Sequence, residues 1–291
     1  MISEFAAILI PIFVTVAIGY GWERMGVDFP TEFVTRSTVY VLTPCLVFST
    51  MTGLGISLQA YGEVALATLL VLLSVATIGA IGLKLRGLPL RAFLPPILIP
   101  NSGNLGLPLA LFAFGEAGLA LAIASYTIYA LVQYTVCQLI AAGKLSLMIV
   151  VRQPLIYAAA ISLIFLFADA TPPQWALNTT QLIGAAAIPL NILALGVALA
   201  RLQVSSLKNG LYVSALRIGM GLLAALVVTS FLDLDPVTRG VVILQSAGPA
   251  ALFSYLWAQL YNNSAEEVAG VIMISTVISL LTLPLLLLIA L

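Results

Sequence analysis

The chain has 291 residues, of which 62% are hydrophobic and 8% charged, against roughly 45–50% apolar and about 25% charged in soluble domains. So few charges cannot cover a water-facing surface of that size, which excludes an ordinary soluble domain and makes a bilayer most of the solvent. Zero formal net charge offers nothing to nucleic acid or to an acidic partner, and the lack of His removes the commonest metal ligand.

A spanning helix needs roughly 20 apolar residues. By that rule ten spans follow in chain order, near Phe5–Trp22, Phe33–Met51, Tyr61–Leu83, Phe93–Phe114, Gly118–Leu139, Leu155–Ala168, Gln181–Ala200, Leu211–Phe231, Val237–Leu260 and Val268–Leu291. The opening Met1–Glu4 lacks the basic region of a signal peptide, so the first span is expected to be retained. The sixth is short and is expected to recruit Leu147–Val151. Cys45 and Cys137 lie inside apolar stretches and are read as packing residues.

With the N-terminus outside, the cytoplasmic ends carry Arg24, Arg36, Lys84, Arg86, Arg91, Lys144, Arg152, Arg201 and Lys208, while the outer loops carry Arg239. That asymmetry places both termini outside a cell (inner) membrane. The pattern repeats after about half the chain: Pro11 is echoed by Pro154, Pro44 by Pro189, and Pro108-Leu-Ala-Leu-Phe-Ala-Phe114 by Pro249-Ala-Ala-Leu-Phe-Ser-Tyr255. Five helices per repeat is an odd number, so residues 1–140 and 141–291 are expected to form inverted repeats of an all-α fold.

Two stretches fall mid-span yet resist a continuous helix: Pro100-Asn-Ser-Gly-Asn-Leu-Gly-Leu-Pro108 and Gln245-Ser-Ala-Gly-Pro249. Proline removes an N–H and clashes with the preceding turn, so spans four and nine are expected to break. The breaks are placed at Asn101–Leu107 and Ser246–Gly248, crossing at the midplane, with Pro108 and Pro249 opening the outgoing half-helices. Half-helix N-termini present unpaired N–H groups and partial positive charge, which suits a carboxylate. Asn101, Asn104 and Gln245 could add neutral amide donors. Gly106, Ser246 and Gly248 complete the candidate substrate site, with structural kinks as the alternative.

Arg217 lies inside the eighth span, where it either snorkels to the cytoplasmic interface or draws anions electrostatically. Tyr126, Tyr129 and Tyr134 could line a path, with core packing the expected role. Trp22, Trp175, Trp257 and Tyr261 are read as interfacial anchors. The spans hold no deep Asp or Glu, so a carboxylate proton relay is not supported. No cofactor is expected, and sodium or proton coupling is left open. No His-Glu-x-x-His, Gly-x-Ser-x-Gly or phosphate loop points to an enzyme.

At Pro100, Asn101, Gly106 and Pro108, and at Gln245, Ala247, Pro249, Tyr255, Ala258, Tyr261 and Asn262, the chain resembles the auxin efflux carrier family, including bacterial members described as malonate or malate permeases. The resemblance implies a scaffold of helices one, two, six and seven, and a mobile transport part of helices three to five and eight to ten. It implies a homodimer in membrane lipid, elevator-like alternating access, and a small organic anion as substrate near Asn101. The chain departs from plant carriers at Gln153-Pro154-Leu155-Ile156, where they carry Asn-Pro-Asn-Thr. It also lacks their long central loop, since Ala141–Gln153 joins the halves. A sodium-coupled symporter of the bile-acid type and an anion channel are the competing readings.

Overall fold

The computed structural model describes residues 2–53, 56–143, 148, 151–201 and 206–291. Among them the chain is helical throughout, with one isolated antiparallel bridge, Pro100 to Ala250. Six helices are long and apolar enough to cross a membrane: Phe5–Arg24, Leu58–Leu85, Ser102–Ala142, Gln174–Arg201, Leu207–Phe231 and Ala265–Ala290. This is a polytopic membrane protein.

The helices are α1 (Ile2–Arg24), α2 (Thr31–Ser37), α3 (Thr43–Gly53), α4 (Leu58–Leu85), α5 (Leu90–Leu98), α6 (Leu107–Val132), α7 (Gln138–Ala142), α8 (Pro154–Phe167), α9 (Gln174–Gly184), α10 (Ala187–Arg201), α11 (Leu207–Phe231), α12 (Pro236–Ser246), α13 (Phe253–Leu260) and α14 (Ala265–Ala290). Three wide π turns, Thr38–Leu42, Ser102–Gly106 and Gln133–Cys137, join α2 to α3, lead into α6, and join α6 to α7. The first two stand just before Pro44 and Pro108. A proline in a helix clashes with the carbonyl four residues back, and a widened turn relieves that clash. The stretch Ser102–Ala142 is 41 residues long, which at 1.5 Å per residue would be about 60 Å, roughly twice the hydrocarbon core. It is interrupted at Gly115, whose φ of 67° and ψ of −160° turn the chain between two spans. The expected recruitment of Leu147–Val151 to the sixth span falls largely outside the described residues.

Packing follows small side chains. Helices α1 and α10 cross so closely that a Cβ on Gly19 would sit 2.1 Å from the Leu193 carbonyl, and one on Gly196 would sit 2.1 Å from the Val16 carbonyl. Without a hydrophobic force between helices in lipid, such close approach is a main source of association. Helix α3 packs on α8 and α9, while α11 packs on α4 and α14, and α12 on α6.

Candidate functional site

The centre of the molecule is where two helical segments stop. Helix α5 carries Pro95 and Pro96 and ends at Leu98. Ile99 is extended (φ −103°, ψ 113°), as expected of a residue before proline. Helix α12 ends at Ser246, and the chain winds again only at Phe253. The two unwound pieces run antiparallel. Asn101 N–H donates to the Pro249 carbonyl at 2.7 Å, and Ala251 N–H donates to the Ile99 carbonyl at 3.0 Å. Ala250 N–H donates to Ser275 Oγ on α14 at 3.1 Å. In a dry interior each such group needs a partner, and this crossing supplies several of them from the facing segment.

This geometry corrects the expected register. The first break lies at Ile99–Asn101 and not at Asn101–Leu107, because Pro100 forces its predecessor out of the helix while Ser102–Gly106 rewinds as a π turn. The second spans Ala247–Leu252, beyond Ser246–Gly248. Pro108 does sit in the first turn of α6. Pro249 does not open the outgoing helix: it lies in the crossing itself, where its carbonyl serves Asn101.

Arg217 on α11 holds the carbonyl side of both breaks. Its guanidinium donates to Ile97 O at 2.8 Å, to Gly248 O at 3.2 Å and to Ser246 O. The residue is 1% exposed, so it does not snorkel. Helix ends leave carbonyls unpaired and carry partial negative charge, and a cation is the natural cap. Gly221, one turn on, makes this possible: a Cβ there would meet the Ser246 carbonyl at 2.2 Å.

A cavity of about 370 Å³ leads to the crossing, within the roughly 300–1,000 Å³ range of small-molecule sites. Ser102, Gly103 and Asn104 line it from the π turn that leads into α6, and Ala251, Leu252 and Phe253 from the end of the second break and the start of α13. All three π turns border it, through Thr38, Asn104 and Gln133 among others. Asn101 is 5% exposed and lines the cavity, and its Nδ2 has no hydrogen-bond partner. Thr38 Oγ1, buried on the cavity wall, has none either. Arg201 is the one charged side chain lining the cavity among the described residues. It is paired with Glu23 at 2.7 Å and donates to Thr31 Oγ1 at 2.6 Å.

Of the residues expected at the site, Asn101 and Asn104 reach the cavity, whereas Gly106, Pro108, Gln245, Ser246, Gly248 and Pro249 lie outside its lining. Gln245 is fully buried against Gly106, where a Cβ would fall 2.4 Å from its Oε1, and both amide atoms lack partners. Ser246 is linked to the cavity wall through the hydroxyl of Tyr129 at 3.0 Å. Tyr129 and Tyr134 belong to the buried core, as expected, with Tyr126 packed against it, and all three also line the cavity. Trp257, expected at an interface, is buried and stacked on Tyr261 at 6.0 Å. Sequence reading missed Thr38, Gln133 and Asn191; only their polarity inside apolar segments marked them.

A second cavity, about 540 Å³, is lined by Pro11, Ser49, Gln181 and Ile188 on one side and by Leu111 and Leu119 on the other. On α10 the second cavity is bordered by Ile188, Pro189 and Ile192 and the first by Asn191, Ala194, Val197 and Arg201. On α6 the residues around the Gly115 turn, Leu111 to Leu119, border the second, and Leu107 with Tyr126, Tyr129 and Ala130, farther from that turn on both sides, border the first.

A family model described as a membrane transport protein matches residues 141–287. An uncharacterized transporter of Methanocaldococcus jannaschii is 22% identical over 300 residues, covering 96% of each chain. With the broken helices, the crossing and the proline-bounded motifs already in place, the chain belongs to the membrane transport protein family, that of the auxin efflux carriers.

Proposed function

We propose that this protein is a secondary transporter that moves small organic anions, carboxylates such as malate, malonate or an auxin-like acid, across the cell membrane. The observation that carries the reading is the Asn101 amide: buried, unpartnered, and lining the cavity between the starts of two outgoing half-helices. An amide N–H left without a partner in a dry site costs about 1–3 kcal/mol, which a ligand oxygen would recover. Partial positive charge at both helix starts favours that oxygen being anionic.

In this reading the chain has ten spans in two inverted five-helix repeats, residues 1–140 and 141–291, with both termini external. Helices one, two, six and seven form the scaffold and the remaining six the transport part. Tight packing of α1 on α10, and of α3 on α8 and α9, supports the scaffold. Sliding of the transport part would exchange the two cavities in turn, in elevator fashion. The cavity at Asn101 then faces the cytoplasm, with Arg201 at its mouth. A homodimer formed through the scaffold is part of the same reading.

Purified protein in detergent, screened by thermal shift against a panel of organic acids, tests the reading. A bound acid at 100 times its Kd should add about 2.7 kcal/mol of stability. A panel without a concentration-dependent shift, alongside robust shifts by neutral compounds, would overturn it.

A further inference from the structure

Arg217 never reaches the cavity lining, yet it is a buried cation bound to three carbonyls and, among the described residues, to no carboxylate. Of those carbonyls, Gly248 O belongs to the second break, Ser246 O to the end of α12 that leads into it, and Ile97 O to the end of α5. One planar guanidinium with a fixed fork of donors thus ties together two chain segments more than a hundred residues apart in sequence. Gly248 lies directly against the other break, for a Cβ on it would be 3.8 Å from the Asn101 nitrogen. The charge therefore stands one layer of backbone behind the unpartnered amide.

We infer that Arg217 is the positioning residue of the transport site. Without touching the substrate, it locks the two breaks into one unit and supplies the positive field that makes the Asn101 end of the cavity prefer an anion to its neutral analogue. This rests on the anion reading above and extends it to a residue outside the cavity. A unit charge on the order of 8 Å from a carboxylate, at an effective dielectric of about 20, changes anion affinity by roughly thirtyfold. Lysine keeps the charge but not the three-point fork, so the two halves of the role are separable.

The experiment compares wild type, Arg217→Gln, Arg217→Lys and Gly221→Ala by two readouts. The first is binding of benzoate, indole-3-acetate and malonate against benzamide, indole-3-acetamide and malonamide. The second is amide hydrogen exchange at Ile99, Asn101, Ala247, Gly248, Ala250 and Ala251. Arg217→Gln should lose at least tenfold of the preference for acid over amide and exchange at least tenfold faster at the crossing, with α1 and α10 unchanged. Arg217→Lys should keep the preference and lose the protection. Gly221→Ala, which pushes the Ser246 carbonyl away while leaving the charge, should do the same, and it carries the test of the tie if Arg217→Gln does not fold. Unchanged preference and unchanged protection in Arg217→Gln would overturn the inference while leaving the anion reading standing. Unchanged protection in Gly221→Ala would overturn the tie. If wild type binds none of the acids but binds the amides, the anion reading fails and the inference falls with it.

Discussion

Replacing Asn101 by alanine separates a binding amide from a structural one, because the two roles predict opposite signs. The Asn101 side-chain nitrogen has no partner in the protein, so its removal breaks no internal hydrogen bond. The backbone bonds that shape the crossing are made by other atoms: Asn101 N–H to Pro249 O, and Leu105 and Gly106 N–H to Asn101 O at 3.2 Å. The break itself is set by Pro100 and by the extended Ile99. Deleting an unsatisfied buried donor relieves a desolvation cost of about 1–3 kcal/mol, offset in part by lost packing. Melting temperature in detergent should thus stay level or rise. Binding should go the other way. A hydrogen bond to a charged oxygen contributes about 1.5–3 kcal/mol, so affinity for the acid found by screening should fall roughly tenfold to a hundredfold. Equilibrium binding and thermal melting on the same preparation give both numbers. Unchanged affinity, or a large loss of stability, would refute the reasoning and make Asn101 part of the framework.

Gly196→Ala should destabilise by about 1–3 kcal/mol through overpacking, since its Cβ would meet backbone of α1 at 2.1 Å. Gly21→Ala, with nothing within 4 Å of its Cβ, should be neutral or stabilising by up to about 1 kcal/mol, and the pair of melting temperatures checks both. Asp235 caps α12 by accepting from Val237 N–H at 3.0 Å and Thr238 N–H at 3.1 Å. Burial pushes its carboxyl up, but the Thr238 hydroxyl and these N–H groups outweigh it and hold the pKa below the usual carboxylate value. Its stabilisation is therefore present above the unfolded pKa of about 4 and is lost as pH falls through the folded value. Asp235→Ala should cost about 0.5–1 kcal/mol at neutral pH and progressively less in acid, as read from melts across pH. Reporter fusions should place the C-terminus outside; a cytoplasmic signal would contradict the orientation drawn from the basic residues.

The helices and their breaks were legible because they depend on local rules. Apolar length marks a span, and prolines clustered with glycines, at Pro100 to Pro108 and Gly248-Pro249, disfavour a continuous helix where a single proline such as Pro11 or Pro284 is carried inside one. Register was less legible. Proline acts on the residue before it, so Ile99 opens the first break, and Ser102–Gly106 rewinds because a π turn can absorb the strain of Pro108. Which polar groups face the cavity is decided by tertiary packing. Gln245 and Asn101 look equivalent in sequence, yet Gly106 leaves a slot that Gln245 fills, while Asn101 is left at the cavity. Snorkelling, one of the two roles open to Arg217 in the sequence, is excluded for the same reason: its partners, Ile97, Ser246 and Gly248, come from elements distant in the chain and hold it buried.

The most direct test of the anion site is an experimental structure with the identified acid bound. The account predicts its carboxylate within hydrogen-bond distance of Asn101 Nδ2, in the cavity bordered by Tyr126, Tyr129 and Phe253. Density for the acid in the other cavity, among Pro11, Ser49 and Gln181, with Asn101 still unpartnered, would contradict it.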